Sequence, residues 1–495
     1  MRVDAVIIGG GVTGLGIARD LAQRGLRVAL FERRDIASGT TGRSHGLLHS
    51  GARYVVRDPV SASECAKENR VLRRIAPHVI EETGGMFVAV EEDDLDYERK
   101  FLEGCKRASV RVEELSVRES RKIEPYLNPS AYTVFLVDDA VVDPFRLAIA
   151  NFLAAKEHNA EIYTYEPVRL IVHEGTVVGV ETVNTKQKIY SDVVINATGP
   201  WADFICRQAG LEIGVKPNKG TLVVTGKRVV NTVLNRLRPP SDGDIIVPHQ
   251  TTMILGTTST YIKDPDEVMP TIEEVNLILR ECGKMLPCLR ELRVIRAFSG
   301  ARPLLEGTSG REAGRTFTVV DHEKQGVEGL VTVTGGKLTT YRLMAERTSD
   351  LVCRKLGVRA TCRTSKEELP KIPVRTCKER YEASLLEAKW EKEVVCECEL
   401  VTRREVEESF KVLGAKTLED IKRRTRAGMG ECQGQFCAYK VADIMVELGT
   451  SFHDALRSLN EFLRNQWKTE QILEGTQRAQ LEFFKAMYKL VGGLE

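Results

Sequence analysis

Val3-Asp4-Ala5-Val6-Ile7-Ile8-Gly9-Gly10-Gly11-Val12-Thr13-Gly14 opens the chain, and Arg27-Val28-Ala29-Leu30-Phe31-Glu32 follows shortly after. The first run reads as a buried strand that ends in glycines. Ile17 to Arg24 carries helical spacing, Gly25 stops that helix, and a second strand runs to Glu32. This is a complete βαβ unit. Gly9, Gly11 and Gly14 form G-x-G-x-x-G between strand and helix, the context a dinucleotide fingerprint requires. Gly9 permits the tight turn, Gly11 lets the backbone approach a pyrophosphate at the helix N-terminus, and Gly14 lets helix and strand pack closely. Glu32 is placed to accept hydrogen bonds from ribose hydroxyls and repels a 2′-phosphate, which disfavours NADP. The spacing does not separate NAD from FAD.

Outward from this unit, strands and helices alternate to about residue 345. Val193-Val194-Ile195-Asn196-Ala197-Thr198-Gly199 and Leu330-Val331-Thr332-Val333-Thr334-Gly335-Gly336 read as returns to the first sheet. The expected fold is α/β, α+β overall: a Rossmann-type dinucleotide domain over 1–362 with an inserted substrate cap, mainly about 75–185 and 215–300. The second cap stretch is rich in Val, Thr and Ile and predicts an antiparallel sheet. A linker with one charged helix is expected at 363–393, a small cysteine-bearing domain at 394–448 and helices at 449–495. Leu456, Leu459, Phe462, Leu463, Leu481, Phe483, Phe484 and Met487 give those last helices amphipathic faces, read as packing or dimer contacts in preference to a membrane surface.

Composition narrows the class. The 495 residues are 42% hydrophobic and 29% charged, and 72 basic against 70 acidic residues leave a net charge of +2. That balance gives no support for nucleic-acid binding. No run approaches the ~20 apolar residues of a membrane span. The apolar start, Val6 to Gly16, is broken by glycines and follows Asp4, so no secretory signal is expected and the predicted location is cytoplasmic.

The glycine-turn layout resembles FAD enzymes of the D-amino-acid-oxidase type. The resemblance implies that Ser38 to Ser44 runs along the pyrophosphate and ribityl chain and that Gly335-Gly336 approaches the isoalloxazine ring. The implied FAD contacts are Gly9, Gly11, Thr13, Gly14, Glu32, Arg33, Thr40, Thr41, Ser44, Gly199, Gly335, Gly336, Leu338 and Thr339.

Three further motifs occur in order: Leu48-His49-Ser50-Gly51-Ala52-Arg53-Tyr54, Ser299-Gly300-Ala301-Arg302-Pro303-Leu304 and Gly335-Gly336-Lys337-Leu338-Thr339-Thr340-Tyr341-Arg342. Together they resemble FAD-dependent glycerol-3-phosphate dehydrogenases, from residue 1 to about 360. The chemistry is coherent without the resemblance. A phosphomonoester carries about −1.5 to −2 charge at neutral pH, and Arg matches its oxygens in pairs. Arg53, Arg302, Arg315 and Lys337 supply cations. Arg302 and Lys337 sit in uncharged, Gly-containing stretches where the adjacent sequence offers no obvious ion-pair partner. The resemblance implies that Arg302 and Arg315 hold the phosphate, and that Arg53, Tyr54 and Lys337 lie by substrate and flavin. Alcohol oxidation also needs a base, and His is poised near neutral pH. Of eight histidines, His49 is the candidate because the family places its motif beside flavin N5. His249 is second, and His45 is read as serving the flavin loop.

Cys396-x-Cys398, 33 residues, then Cys432-x4-Cys437 offer four thiolates. Spacing alone leaves an iron–sulfur cluster, zinc and plain thiols open. With Gly428-Met429-Gly430-Glu431-Cys432-Gln433-Gly434 the segment resembles the bacterioferritin-associated-ferredoxin-like domain, which implies a [2Fe–2S] cluster on these four cysteines. Arg423, Arg424 and Arg426 are read as offsetting cluster charge or as a solvated helix face.

The whole chain thus resembles the catalytic A subunits of the anaerobic branch of that dehydrogenase family. The resemblance implies partner subunits that carry electrons to membrane quinone, with attachment at the inner membrane face through them. A second copy of the chain is a further partner compatible with the terminal helices. Two other readings stay open on sequence: a flavoenzyme for another 2-hydroxy acid or an amine, of the opine or proline type, and an FAD-binding electron-transfer or sensing protein without turnover.

Overall fold

The computed structural model describes residues 1–305, 316–386, 393–467 and 475–492. Arg2–Ile8 lies between two parallel neighbours, Lys188–Asn196 and Val28–Glu32, and Glu161–Thr164 extends the sheet beyond Val28–Glu32, again in parallel. Leu330–Gly335 pairs in parallel with the end of Lys188–Asn196. Val6, Ile7, Ala29, Leu30, Val194 and Ile195 are fully buried, as strands covered on both faces must be. Both later strands expected to return to the first sheet therefore do so.

Helix Val12–Gln23 covers one face and is itself covered by helices Pro144–Glu157 and Tyr341–Lys355. Close packing needs a small residue at Gly16, where a Cβ would stand 3.1 Å from the Tyr341 ring.

The second sheet is the cap. Val215–Thr225 and Val294–Leu305 form its long central ribbon, with Asn218 opposite Arg302 and Gly220 opposite Gly300. Thr252–Gly256, Ile245–His249, Val233–Arg236, Gly85–Ala89, Thr133–Val137 and Val112–Leu115 continue it. Its pairs are antiparallel except Val233–Arg236 with Gly85–Ala89. The expected cap stretch of 75–185 is too wide. Beyond Val137 the chain passes through Ala140–Val142 to helix Pro144–Glu157, which covers the first sheet, and Glu161–Thr182 pairs there. The reason is topological: this helix is buried along most of its length and serves as the crossover that a parallel strand requires.

The expected linker is also less detached than its prolines imply. Leu369, Ile372 and Val374 are buried in the first core. Helix Cys377–Leu386 then sends Arg380, 1% exposed, into the C-terminal unit, where it pairs with Glu405 at 2.9 Å. That unit packs helices Arg403–Lys411, Leu418–Thr425, Ala438–Glu447 and Phe452–Trp467 around Val401, Ile421, Val441, Phe462 and Leu463. Phe452–Trp467 is therefore a packing helix of the cysteine domain. In Gly475–Gly492, Leu481 packs on the same core while Phe483 is exposed.

Candidate active site and cysteine centre

A cavity of about 570 Å³ opens between the two sheets, within the range of cofactor and substrate sites. One end is the glycine turn. A Cβ on Gly14 would stand 2.0 Å from the Gly9 carbonyl oxygen, so only glycine lets the helix start this close to the strand. Glu32 is tied down at both oxygens: Oε2 accepts Gly10 N–H at 2.7 Å and Oε1 accepts Arg34 N–H at 2.8 Å. Burial pushes its carboxyl up, against these two bonds. Thr41 Oγ1 accepts Val12 N–H at 3.1 Å, and Thr40 Oγ1 donates to the Ala301 carbonyl at 2.7 Å, joining the Ser38–Ser44 loop to turn and cap.

At the far end, Gly335 has φ +84, and a Cβ there would meet the Thr316 carbonyl at 2.8 Å. Of the expected FAD contacts, Gly9, Gly11, Thr13, Glu32, Arg33, Thr40, Thr41, Ser44, Gly199, Gly335, Gly336 and Leu338 line the cavity. Gly14 and Thr339 do not: Gly14 serves helix packing, and Thr339 Oγ1 accepts His49 N–H at 3.1 Å. Arg33 is also engaged elsewhere. It pairs with Asp266 at 2.6 Å and lies 4.6 Å from the centre of the Trp201 ring, a clamp between the domains that involves two residues the sequence reading missed.

The middle of the cavity carries His49, Arg53, Tyr54, Arg302 and Lys337. Strand Leu47–Leu48 pairs with Ala140–Val142, and Ser50 N–H donates to Asp139 Oδ1 at 2.7 Å, which fixes the His49 loop. Tyr54 Oη lies 3.3 Å from His49 Nε2. Lys337 Nζ stands 4.4 Å from the centre of the Tyr54 ring. Arg53 Nη2 donates to the fully buried Asp244 at 3.2 Å. Its Nη1 is buried and has no hydrogen-bond partner among the described residues.

Arg302 lies within strand Val294–Leu305. Its Nη1 donates to Asn218 Oδ1 at 2.8 Å, its Nη2 to Thr257 Oγ1 at 2.8 Å, and both to the Thr258 carbonyl at 3.1 Å. Gly220 makes room, since a Cβ there would stand 2.2 Å from Nη2. These holders were not read from sequence; the available signal was the Lys219-Gly220-Thr221 break in a Val-rich strand. Arg315 lies outside the described residues. His45 lines the cavity and its Nδ1 accepts Leu47 N–H at 3.2 Å. His249 is displaced as a base candidate: it is not among the cavity-lining residues, and burial together with the Arg426 charge holds it down to about 4.

The four expected cysteines gather in the C-terminal unit as two pairs. The thiols of Cys396 and Cys437 are within hydrogen-bond reach, as are those of Cys398 and Cys432. Backbone N–H groups of Gly428 and Glu399 point at the Cys396 sulfur, and those of Gly434, Gln435 and Phe436 at Cys432. Among the described residues no three ligating side chains converge on one metal position. Two pairs with donors aimed at the sulfurs fit a binuclear cluster, whose irons each take two thiolates, better than one tetrahedral zinc.

The three nearby arginines are not a solvated helix face. Arg424 and Arg423 are buried against Asp35, and Arg426 pairs with Glu399 at 2.9 Å. Arg423 and Arg424 thereby dock the cysteine domain onto the FAD-binding domain, while the Arg426–Glu399 pair lies within the cysteine domain.

Fold, cavity and thiolate pairs define a flavin-dependent oxidoreductase with an attached iron–sulfur domain. Residues 4–351 match the FAD dependent oxidoreductase family and residues 394–447 the BFD-like [2Fe-2S] binding domain. The chain is 43% identical to the A subunit of the anaerobic glycerol-3-phosphate dehydrogenase of Escherichia coli strain K12, over 99% of this chain and 97% of that protein. It is 43% identical to the A1 subunit of the Haloferax volcanii enzyme over 96% and 88%. The glycerol-3-phosphate dehydrogenase of Bacillus halodurans, solved with FAD, superposes with a TM-score of 0.64 at 23% identity, covering 99% of this chain and 95% of that one. The chain belongs to the family of A subunits of anaerobic glycerol-3-phosphate dehydrogenases, with FAD and [2Fe–2S] as its cofactors.

Proposed function

We propose that this chain oxidises sn-glycerol 3-phosphate to dihydroxyacetone phosphate in the cavity. The observation that carries the reading is Arg53: one guanidinium nitrogen is pinned by Asp244 while Nη1 is buried without a hydrogen-bond partner among the described residues. A buried donor left unmade costs about 1–3 kcal/mol, and a substrate oxygen relieves that cost. Arg302, whose terminal nitrogens are held by Asn218, Thr257 and Thr258 in the cavity wall, supplies positive charge to the phosphate together with Arg315. His49, whose backbone N–H is held by Thr339 and whose ring meets the Tyr54 hydroxyl, takes the C2 hydroxyl proton, and Arg53 polarises the developing alkoxide. Lys337 above the Tyr54 ring adds positive charge to the same wall. When bound, FAD supplies the hydride acceptor; Glu32, the glycine turns and the Thr40–Ser44 loop hold it.

Cys396, Cys398, Cys432 and Cys437 would hold the [2Fe–2S] cluster, which would supply a one-electron exit for the reducing equivalents. The Escherichia coli relative is named as one subunit of its enzyme, which supports partner subunits here. No helix among the described residues is long and apolar enough to cross a membrane. We place the quinone beyond those partners and the chain at the inner membrane face, in the cytoplasm. Turnover with a dye acceptor tests the substrate. Dihydroxyacetone phosphate is expected from sn-glycerol 3-phosphate, with malate, lactate and proline inert; preferential turnover of any of these three contradicts the assignment.

A further inference from the structure

His249 ends strand Ile245–His249 and is 5% exposed. On one side it touches the wall of the flavin cavity: a Cβ on the cavity-lining Gly46 would stand 3.5 Å from its Cδ2 and Nε2. On the other side its Nδ1 lies 3.1 Å from Arg426 Nη1. A guanidinium only donates, so Nδ1 accepts and the ring proton sits on Nε2, on the Gly46 side.

The connection continues without a gap. Arg426 Nε donates to Glu399 Oε2 at 2.9 Å, and Glu399 Oε1 accepts from Thr251 Oγ1 at 2.7 Å. Glu399 directly follows Cys398, and its N–H points at the Cys396 sulfur, as does that of Gly428, two residues after Arg426. Both loops that cradle Cys396 are thus anchored through Arg426 to an imidazole that abuts the flavin cavity.

We propose that His249 is the positioning residue that sets the cluster-bearing loops against the flavin cavity for electron transfer between the two centres. The proposal rests on the reading of the cysteine domain as the electron exit. The step itself moves one electron from reduced FAD to one ferric iron of the cluster; no bond forms or breaks, and the hydrogen bonds of His249 stay in place. A uniformly structural histidine would serve fold and flavin alike, whereas this one predicts a defect confined to the second transfer.

The test uses the FAD- and cluster-loaded chain, reduced anaerobically by sn-glycerol 3-phosphate in a stopped-flow and freeze-quench EPR experiment. His249→Asn keeps an acceptor near the Nδ1 position; His249→Phe keeps the bulk and removes it. Loss of a charge-assisted hydrogen bond corresponds to roughly tenfold, so cluster reduction in His249→Phe is expected to slow about tenfold while His249→Asn stays within about threefold of the parent. Flavin bleaching is expected to keep its parental rate in both, and the cluster EPR line shape to change only in His249→Phe. If His249→Phe does not retain FAD, His249→Gln, whose amide falls near the Nε2 position, replaces it in the comparison. Parental cluster reduction in the acceptor-less variant overturns the proposal, as does a parallel loss of flavin and cluster reduction. A parent protein whose flavin bleaches while its cluster stays oxidised instead refutes the electron-exit reading, and the positioning proposal falls with it.

Discussion

Asp35 and Arg424, 389 positions apart in the chain, form a buried ion pair in which Arg424 Nη2 donates to Asp35 Oδ1 at 2.7 Å. Both side chains are 1% exposed, Arg424 Nη1 also donates to Asp35 Oδ2, and Arg423 Nε adds a third contact at 2.8 Å. Asp35 lies three residues beyond Glu32, so helix Leu418–Thr425 of the cysteine domain grips the loop that follows the carboxylate proposed to hold the ribose. Removing one partner of a buried pair costs about 3–5 kcal/mol. Asp35→Ala is therefore expected to lower the denaturation midpoint and loosen FAD retention, both read by thermal unfolding and cofactor content. Replacing Asp35, Arg423 and Arg424 together with apolar residues should cost less than Asp35→Ala alone.

The same pair has a pH signature. Burial pushes the Asp35 carboxyl up, but Arg424 and Arg423 outweigh it and hold it below the ordinary carboxylate value of 3.8. Its stabilising contribution is present above that value and lost as pH falls through the folded pKa. His249 acts at higher pH. Its folded pKa is depressed to about 4 from 6.5, so between those values the unfolded chain binds more protons. Urea unfolding should show stability falling as pH drops from 6.5 toward 4, and His249→Asn should flatten that slope.

Arg302 donates from both terminal nitrogens to the neutral acceptors Asn218, Thr257 and Thr258, which fix its guanidinium in the cavity wall. Arg302→Lys keeps the charge and loses the fork. KM for sn-glycerol 3-phosphate is expected to rise roughly 10- to 100-fold, from loss of charge-assisted hydrogen bonds, with kcat less affected. Steady-state kinetics with a dye acceptor measure the split.

His49 touches Thr339 and Tyr54 at the centre of the cavity. His49→Ala is expected to lower kcat by about 10²–10⁴, the usual worth of a general base. Tyr54→Phe, which removes only the orienting hydroxyl, should cost less. FAD content should stay unchanged in both, so the flavin spectrum serves as the control.

Much of the dinucleotide end was legible because its signals are local: Val3 to Gly14 and Glu32 lie in one βαβ unit. The four cysteines were legible for the same reason, but their pairing, Cys396 with Cys437 and Cys398 with Cys432, crosses between the two local motifs and was not. What the chain does not display locally was missed. Asp266 meets Arg33 from 233 positions away and Asp244 meets Arg53 from 191, and no periodicity reports such partners. His249 stood second as a base on residue type alone; its burial and the Arg426 contact, 177 positions distant, lower its pKa and neither is visible in the sequence. Arg423 and Arg424 read equally as offsetting cluster charge or as a solvated face, because one charged helical stretch resembles another until its partner is known. The cap boundary failed at Ala140–Thr182 because a crossover helix and its strands look alike in either layer.

The most direct test is anaerobic addition of sn-glycerol 3-phosphate to the cofactor-loaded protein, followed by visible absorbance and EPR. The flavin band is expected to bleach first, and the EPR signal of a reduced [2Fe–2S] cluster to appear after it. A flavin spectrum that ignores this substrate would contradict the assignment of sn-glycerol 3-phosphate to the cavity.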